Sequence, residues 1–144
     1  MTPANSHIEE KLKQILDVTA SDLTAIGVVD PRTRKLRWQL VLGSISKRTE
    51  KIRQHVHAGL TGEVMRIGSF LQFHATADQV FESGEAIMLT EKLVHAAAWP
   101  LYRQHGQYYA AMLIGKRVEG AYHPGQIDVV TKLLRELEAQ SLHI

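Results

Sequence analysis

Apolar residues in the first third of the chain change their period once. Ile8, Leu12, Ile15, Leu16 and Thr19 recur at helical spacing, and Glu9, Glu10, Lys11, Lys13 and Gln14 fill the opposite side. That pattern predicts an amphipathic first helix. The run Leu23–Asp30 is rich in Val and Ile and ends at Asp30-Pro31. After a polar turn, Leu36, Trp38, Leu40 and Leu42 alternate with Arg37, Gln39 and Val41 before Gly43. Period two here predicts two strands joined as a hairpin, the second with one inward face that carries Trp38.

The middle third is less regular. Gly59-Leu60-Thr61-Gly62 opens a short helical segment through Val64, Met65 and Ile67, and Gly68 suits a left-handed cap at its end. A second short helix or turn is predicted over residues 76–83 and a third near 87–89. His95–Tyr102 and residues 107–118 read as two further strands, joined by Arg103-Gln104-His105-Gly106. Pro100 interrupts ladder pairing and is expected at an edge or bulge. His123-Pro124-Gly125 starts a closing helix whose stripe is Ile127, Val130, Leu133, Leu134 and Leu137.

Helix, hairpin, irregular middle, hairpin and helix define an α+β domain with an antiparallel sheet. The terminal helices are expected on one face. The short middle helices cap the other, with a ligand pocket beneath them. No repeat, linker or composition break divides the chain, so residues 1–144 read as one domain. For 16.2 kDa the folded surface should be roughly 7,500 Å², enough burial for an ordinary core.

Composition narrows the chemistry. The absence of cysteine removes disulfides, thiolate metal sites, iron–sulfur clusters and thiol nucleophiles together. Seventeen Lys and Arg against fifteen Asp and Glu give a small basic excess, which does not indicate nucleic acid. The densest basic stretch, residues 47–57, also contains Glu50. The amino terminus lacks a basic segment followed by an apolar run, and no stretch approaches the ~20 apolar residues of a membrane span, so the expectation is a cytoplasmic protein without membrane contact.

Taken in order, these segments resemble the GAF sensory domains over nearly the whole chain. The signs are the strand Leu23–Asp30, Gly59-Leu60-Thr61-Gly62 with Val64 and Gly68, and Ala96-Ala97-Ala98-Trp99-Pro100-Leu101. The Gly106 turn, residues 110–115 and the helix from Pro124 complete them. Residues 36–68, with Arg37-Trp38, Leu42-Gly43 and Gly59-Leu60-Thr61-Gly62, are most similar to small stand-alone GAF proteins of the nitrate-sensing NreA type in Gram-positive bacteria. That resemblance implies a non-catalytic sensor that binds nitrate, has no resident cofactor and modulates a sensor histidine kinase. It places the anion against Trp38, then Leu60 and Thr61, then Ile87 and Met88. The group tends to carry an aromatic where Met88 stands.

Elementary chemistry agrees with such a site. Nitrate is a flat, weakly hydrated monoanion that needs donors more than a full counter-charge. The free N–H groups of a helix start supply them along with about half a positive charge. Leu60, Thr61 and Gly62 open such a helix. Trp38 would add an apolar wall and an indole donor.

Other readings stay open on the same residues. The pocket is filled by its own side chains and the chain is an interaction module, or the ligand is another metabolite such as a nucleotide near Lys47, Arg48, Lys51 and Arg53. His55 and His57 have a spacing that suits a metal on a strand, but no third ligand is evident. Paired carboxylates, a Ser/His/Asp order and a phosphate loop are not recognisable, so catalysis is not expected. Leu133, Leu134, Leu137, Leu142 and Ile144 exceed the apparent need of one sheet face, which favours a homodimer or kinase docking through the terminal helices.

Overall fold

The computed structural model describes residues 3–74, 83–102 and 108–139. Residues 76–82 of the segment predicted over 76–83, the connection at 103–106, and Leu142 and Ile144 lie outside them. The elements run α1 (Pro3–Thr19), β1 (Leu23–Asp30), β2 (Lys35–Leu42), a 3-10 turn (Thr49–Lys51), β3 (Gln54–His55) and α2 (Gly59–Ile67). They continue with β4 (Leu71–His74), α3 (Ala86–Thr90), β5 (His95–Tyr102), β6 (Tyr108–Lys116) and α4 (Pro124–Ala139). Six strands form one sheet in the order β3-β2-β1-β6-β5-β4, with every neighbour antiparallel. The accessible surface is 7735 Å², close to what the mass alone implies.

Two apolar layers sandwich the sheet. On one face, Ile8, Leu12 and Ile15 of α1 and the α4 stripe pack on Ile26, Trp99, Met112 and Ile114. Leu133, Leu134 and Leu137 are buried there within the chain itself. Those three leucines therefore complete the core, and among the described residues of the terminal helices the large apolar side chains left exposed are Val18 and Val129. On the other face, α2 and α3 cover Leu23, Ala25, Leu36, Trp38, Ala98 and Leu113.

The alternation in β2 is broken in a way the sequence pattern conceals. Ile26 pairs with Leu40 and Gly27 with Trp38, so Gln39 is an extra residue and the register shifts there. A bulge reverses the side-chain alternation beyond it. Leu36 and Trp38 therefore face α2, whereas Leu40 and Leu42 pack on the terminal-helix layer and Val41 takes the α2 side. The single inward face expected for all four residues is corrected to two faces.

Pro100 behaves as expected of a residue without a ladder donor. Pairing of β5 with β4 stops at Ala98, and a register shift follows at Leu101/Tyr102. The irregular middle holds two strands that the sequence reading did not expect, β3 and β4, which are two and four residues long. They extend the sheet at both edges.

Candidate functional site

The helix start at Gly59 forms as predicted, and Gly68 closes the helix with φ 74° in the left-handed region. Gly62 has a different reason to be glycine. A Cβ there would lie 2.3 Å from the His57 carbonyl carbon, so only glycine lets α2 begin this close to the turn before it. The N-cap, Ala58, has no side chain able to accept a bond.

Glu85, at the N-terminus of α3, does the work of the missing cap. Its Oε1 accepts the Thr61 backbone N–H at 2.8 Å and the Thr61 hydroxyl at 2.7 Å. Gln54 Nε2 donates in turn to Thr61 Oγ1 at 2.8 Å and to the Ala58 carbonyl at 3.3 Å. Glu85, Thr61 and Gln54 are all buried. Burial raises the Glu85 carboxyl above its ordinary range, against the lowering effect of the Thr61 and Gln54 bonds. Neither Gln54 nor Glu85 stood out in the sequence.

Among the described residues three buried side-chain polar atoms have no partner: Trp38 Nε1, Gln54 Oε1 and Glu85 Oε2. They belong to neighbouring positions. Gln54 pairs with Leu36 across β2 and β3, one step along the same face from Trp38, and Gln54 and Glu85 are joined through Thr61. Buried polar groups of this kind are rare, and each calls for a ligand, a water or a functional role.

The predicted site residues Trp38, Leu60, Thr61, Ile87 and Met88 are thus brought into one layer under α2 and α3. Their donors are not equally disposed. Trp38 keeps an unpartnered indole N–H, the Thr61 donors go to Glu85, and the Met88 N–H goes to the Glu85 carbonyl at 3.1 Å. A cleft of about 270 Å³ adjoins Trp38 and is lined also by Val41, Ser44, Lys47, Thr49 and Glu50.

The rim of that cleft is fixed by Glu91, at the far end of α3. Its carboxylate accepts bonds from Ser44 Oγ at 2.5 Å, Ile45 N–H at 2.8 Å and the Thr49 hydroxyl, and pairs with Arg117 at 2.9 Å. Burial pushes this carboxyl up, but those bonds and the Arg117 charge outweigh it and hold it below the ordinary value.

The histidines divide differently from their spacing. His55 and His57 have ring centroids 5.4 Å apart, and Arg34 reaches His57 Nε2 at 3.4 Å. Among the described residues no group of three His, Asp or Glu is placed to hold a metal. His74 and His95, far apart in sequence, meet at the β4–β5 edge with their Nδ1 atoms 2.9 Å apart.

No family model and no curated protein matches the chain. Solved structures do. The architecture is that of the GAF domains, shared with a GAF/HD protein of Geobacter sulfurreducens at TM-score 0.77 and 12% identity, covering 96% of this chain and 91% of that one. The chain is also similar to NreA of Staphylococcus aureus, described as mutated in its nitrate-binding site, at 25% identity and TM-score 0.69, over 79% of this chain and 86% of that one. A domain of a two-component sensor histidine kinase of Sinorhizobium meliloti aligns at TM-score 0.73 and 13% identity, over 97% and 92%. No helix among the described residues is long and apolar enough to cross a membrane.

Proposed function

We propose that the chain is a non-catalytic, cytoplasmic sensor domain that binds a small anion, nitrate foremost, beneath α2 and α3 and relays its state to a sensor histidine kinase. The observation that carries the reading is the Trp38 indole N–H, buried and unpartnered in the layer that α2 and α3 cover. Likeness to a nitrate-binding protein and to a histidine kinase domain supports ligand and partner. The terminal helices are the face offered to the kinase or to a second copy.

Size limits the affinity. At about −1.5 kcal/mol per heavy atom, four atoms give at most roughly −6 kcal/mol, a Kd of some tens of micromolar. For regulation, the anion must bind the two signalling forms unequally.

Trp99 supplies the control for a direct test, because its Nε1 donates to Thr131 Oγ1 at 3.0 Å on the opposite face. Titration with sodium nitrate should move the Trp38 indole resonance in a ¹H–¹⁵N spectrum and leave that of Trp99 in place. An unmoved Trp38 resonance at saturating nitrate contradicts the site.

A second reading is favoured by the Glu85–Thr61 pair. The carboxyl already caps the helix start, which suits a module whose pocket is filled by its own side chains and which acts through its surface alone. Such a module would show no nitrate-dependent change at either indole.

A further inference from the structure

The geometry of Glu85 points to a condition on anion binding that a bare helix start would not impose. This inference rests on the anion reading of the site. Oε1 is committed as an acceptor, because the Thr61 N–H and hydroxyl both point at it. Oε2 is buried without a partner. An ionised carboxylate in this position repels a second anion at the same helix start, in a layer otherwise built of Leu60, Ile87 and Met88 where screening is weak.

We propose that the site takes its anion together with a proton, carried as an O–H on Glu85 Oε2. With Oε1 held by two donors, Oε2 is the oxygen on which a proton can sit without breaking a bond. Protonation turns it from a repelling acceptor into a donor. Glu85 O–H then joins Trp38 Nε1–H, the other unpartnered donor of the same buried layer, as a donor for a flat oxyanion. Gln54 Oε1, an acceptor, is left for a water's O–H.

Among the described residues the buried charged groups besides Glu85 are Glu91 and His95, while Lys47 and Glu50 line the cleft beside Trp38. Around the site, Glu63 on α2 is paired with Arg66, and Glu50, Lys51, His55 and His57 are exposed. Glu91, beyond α3, is held by Arg117. The groups that act on the Glu85 carboxyl besides its own burial are Thr61 and Gln54, and burial already favours the neutral form.

The experiment is calorimetric titration of the chain with sodium nitrate in sulfate medium from pH 5.5 to 9, repeated in two buffers of different ionisation enthalpy. The expected result is a Kd that rises with pH by up to tenfold per unit, with uptake approaching one proton per nitrate where it rises. Glu85→Gln, whose amide presents a permanent N–H donor, should bind nitrate with a Kd independent of pH. A constant wild-type Kd without proton uptake overturns the proposal. So does a folded Glu85→Gln variant that keeps the wild-type pH dependence. If the variant does not fold, the proton count of the wild type decides alone. Absence of nitrate heat at every pH overturns the anion reading itself, and the proton coupling with it.

Discussion

Arg117 meets the buried Glu91 carboxylate at 2.9 Å and, with the same guanidinium, donates to the Gly43 carbonyl. One ion pair therefore fastens the turn after β2 to the end of α3, and with it the Ser44 and Thr49 rim of the cleft beside Trp38. Removing one member of a buried pair strands its partners. Glu91→Ala should destabilise the chain by about 3–5 kcal/mol in urea unfolding, whereas Glu91→Gln, which keeps an acceptor, should cost about half as much. Equal stability of wild type and Glu91→Ala would show that the pair holds nothing.

Trp38→Phe separates ligand chemistry from packing. The ring volume largely stays, while a buried donor without a partner is removed. The free protein should remain within about 1 kcal/mol of wild type, the lost area offsetting the relieved donor. Nitrate affinity should fall tenfold or more, the worth of about 1.5–3 kcal/mol for a hydrogen bond to a charged group. Calorimetry on both proteins checks it.

Gly62→Ala is expected to be among the costliest single-methyl changes. The added Cβ would lie 2.3 Å from the carbonyl carbon and 2.6 Å from the carbonyl oxygen of His57, both backbone atoms that a rotamer change cannot move. Overpacking of this kind costs about 3 kcal/mol. A variant with unchanged Tm would contradict the close approach.

His95 gives the protein an acid limit. Burial, then the neighbouring His74 and Lys116 charges, push its imidazole down to about 4, against an ordinary value near 6.5. The folded state thus binds fewer protons than the unfolded chain between those values, and stability is lost as pH falls from 6.5 toward 4. Glu85, whose carboxyl is raised, acts oppositely and favours the folded state at lower pH. The difference in Tm between wild type and His95→Leu cancels that contribution. It should stay constant above pH 7 and shrink on acidification. A difference independent of pH would refute the assignment.

What the sequence reveals here follows from periodicity and turn chemistry. The α4 stripe from Ile127 to Leu137, the left-handed cap at Gly68 and the Val/Ile-rich β1 all announce themselves, because apolar spacing and glycine's freedom are local signals. The bulge at Gln39 does not, since an uninterrupted alternation in sequence looks identical whether or not the partner strand skips a residue. Two-residue β3 is too short to carry a period. Of the candidate site, Trp38 is legible as an inward strand position and Leu60 and Thr61 as a glycine-flanked helix start, whereas Ile87 and Met88 enter only through the resemblance to the nitrate-sensing proteins. Glu85 and Gln54 are not legible, because a glutamate after Ser83-Gly84 reads as a solvated loop until the fold brings it to the end of α2. The Glu85 cap is also what changes the meaning of Thr61, from a donor awaiting an anion to one that already holds a carboxyl.

The most direct measurement is a thermal melt in sulfate buffer at pH 6.5 with and without about 10 mM nitrate, with chloride and nitrite as controls. For a Kd of about 0.1 mM, linkage gives roughly 2.7 kcal/mol of stabilisation, a rise in Tm of several degrees for a domain of this size. A nitrate-dependent rise absent with chloride is the result the account predicts. Coincident melts in all four solutions would contradict it and leave the self-capped interaction module as the reading of this fold.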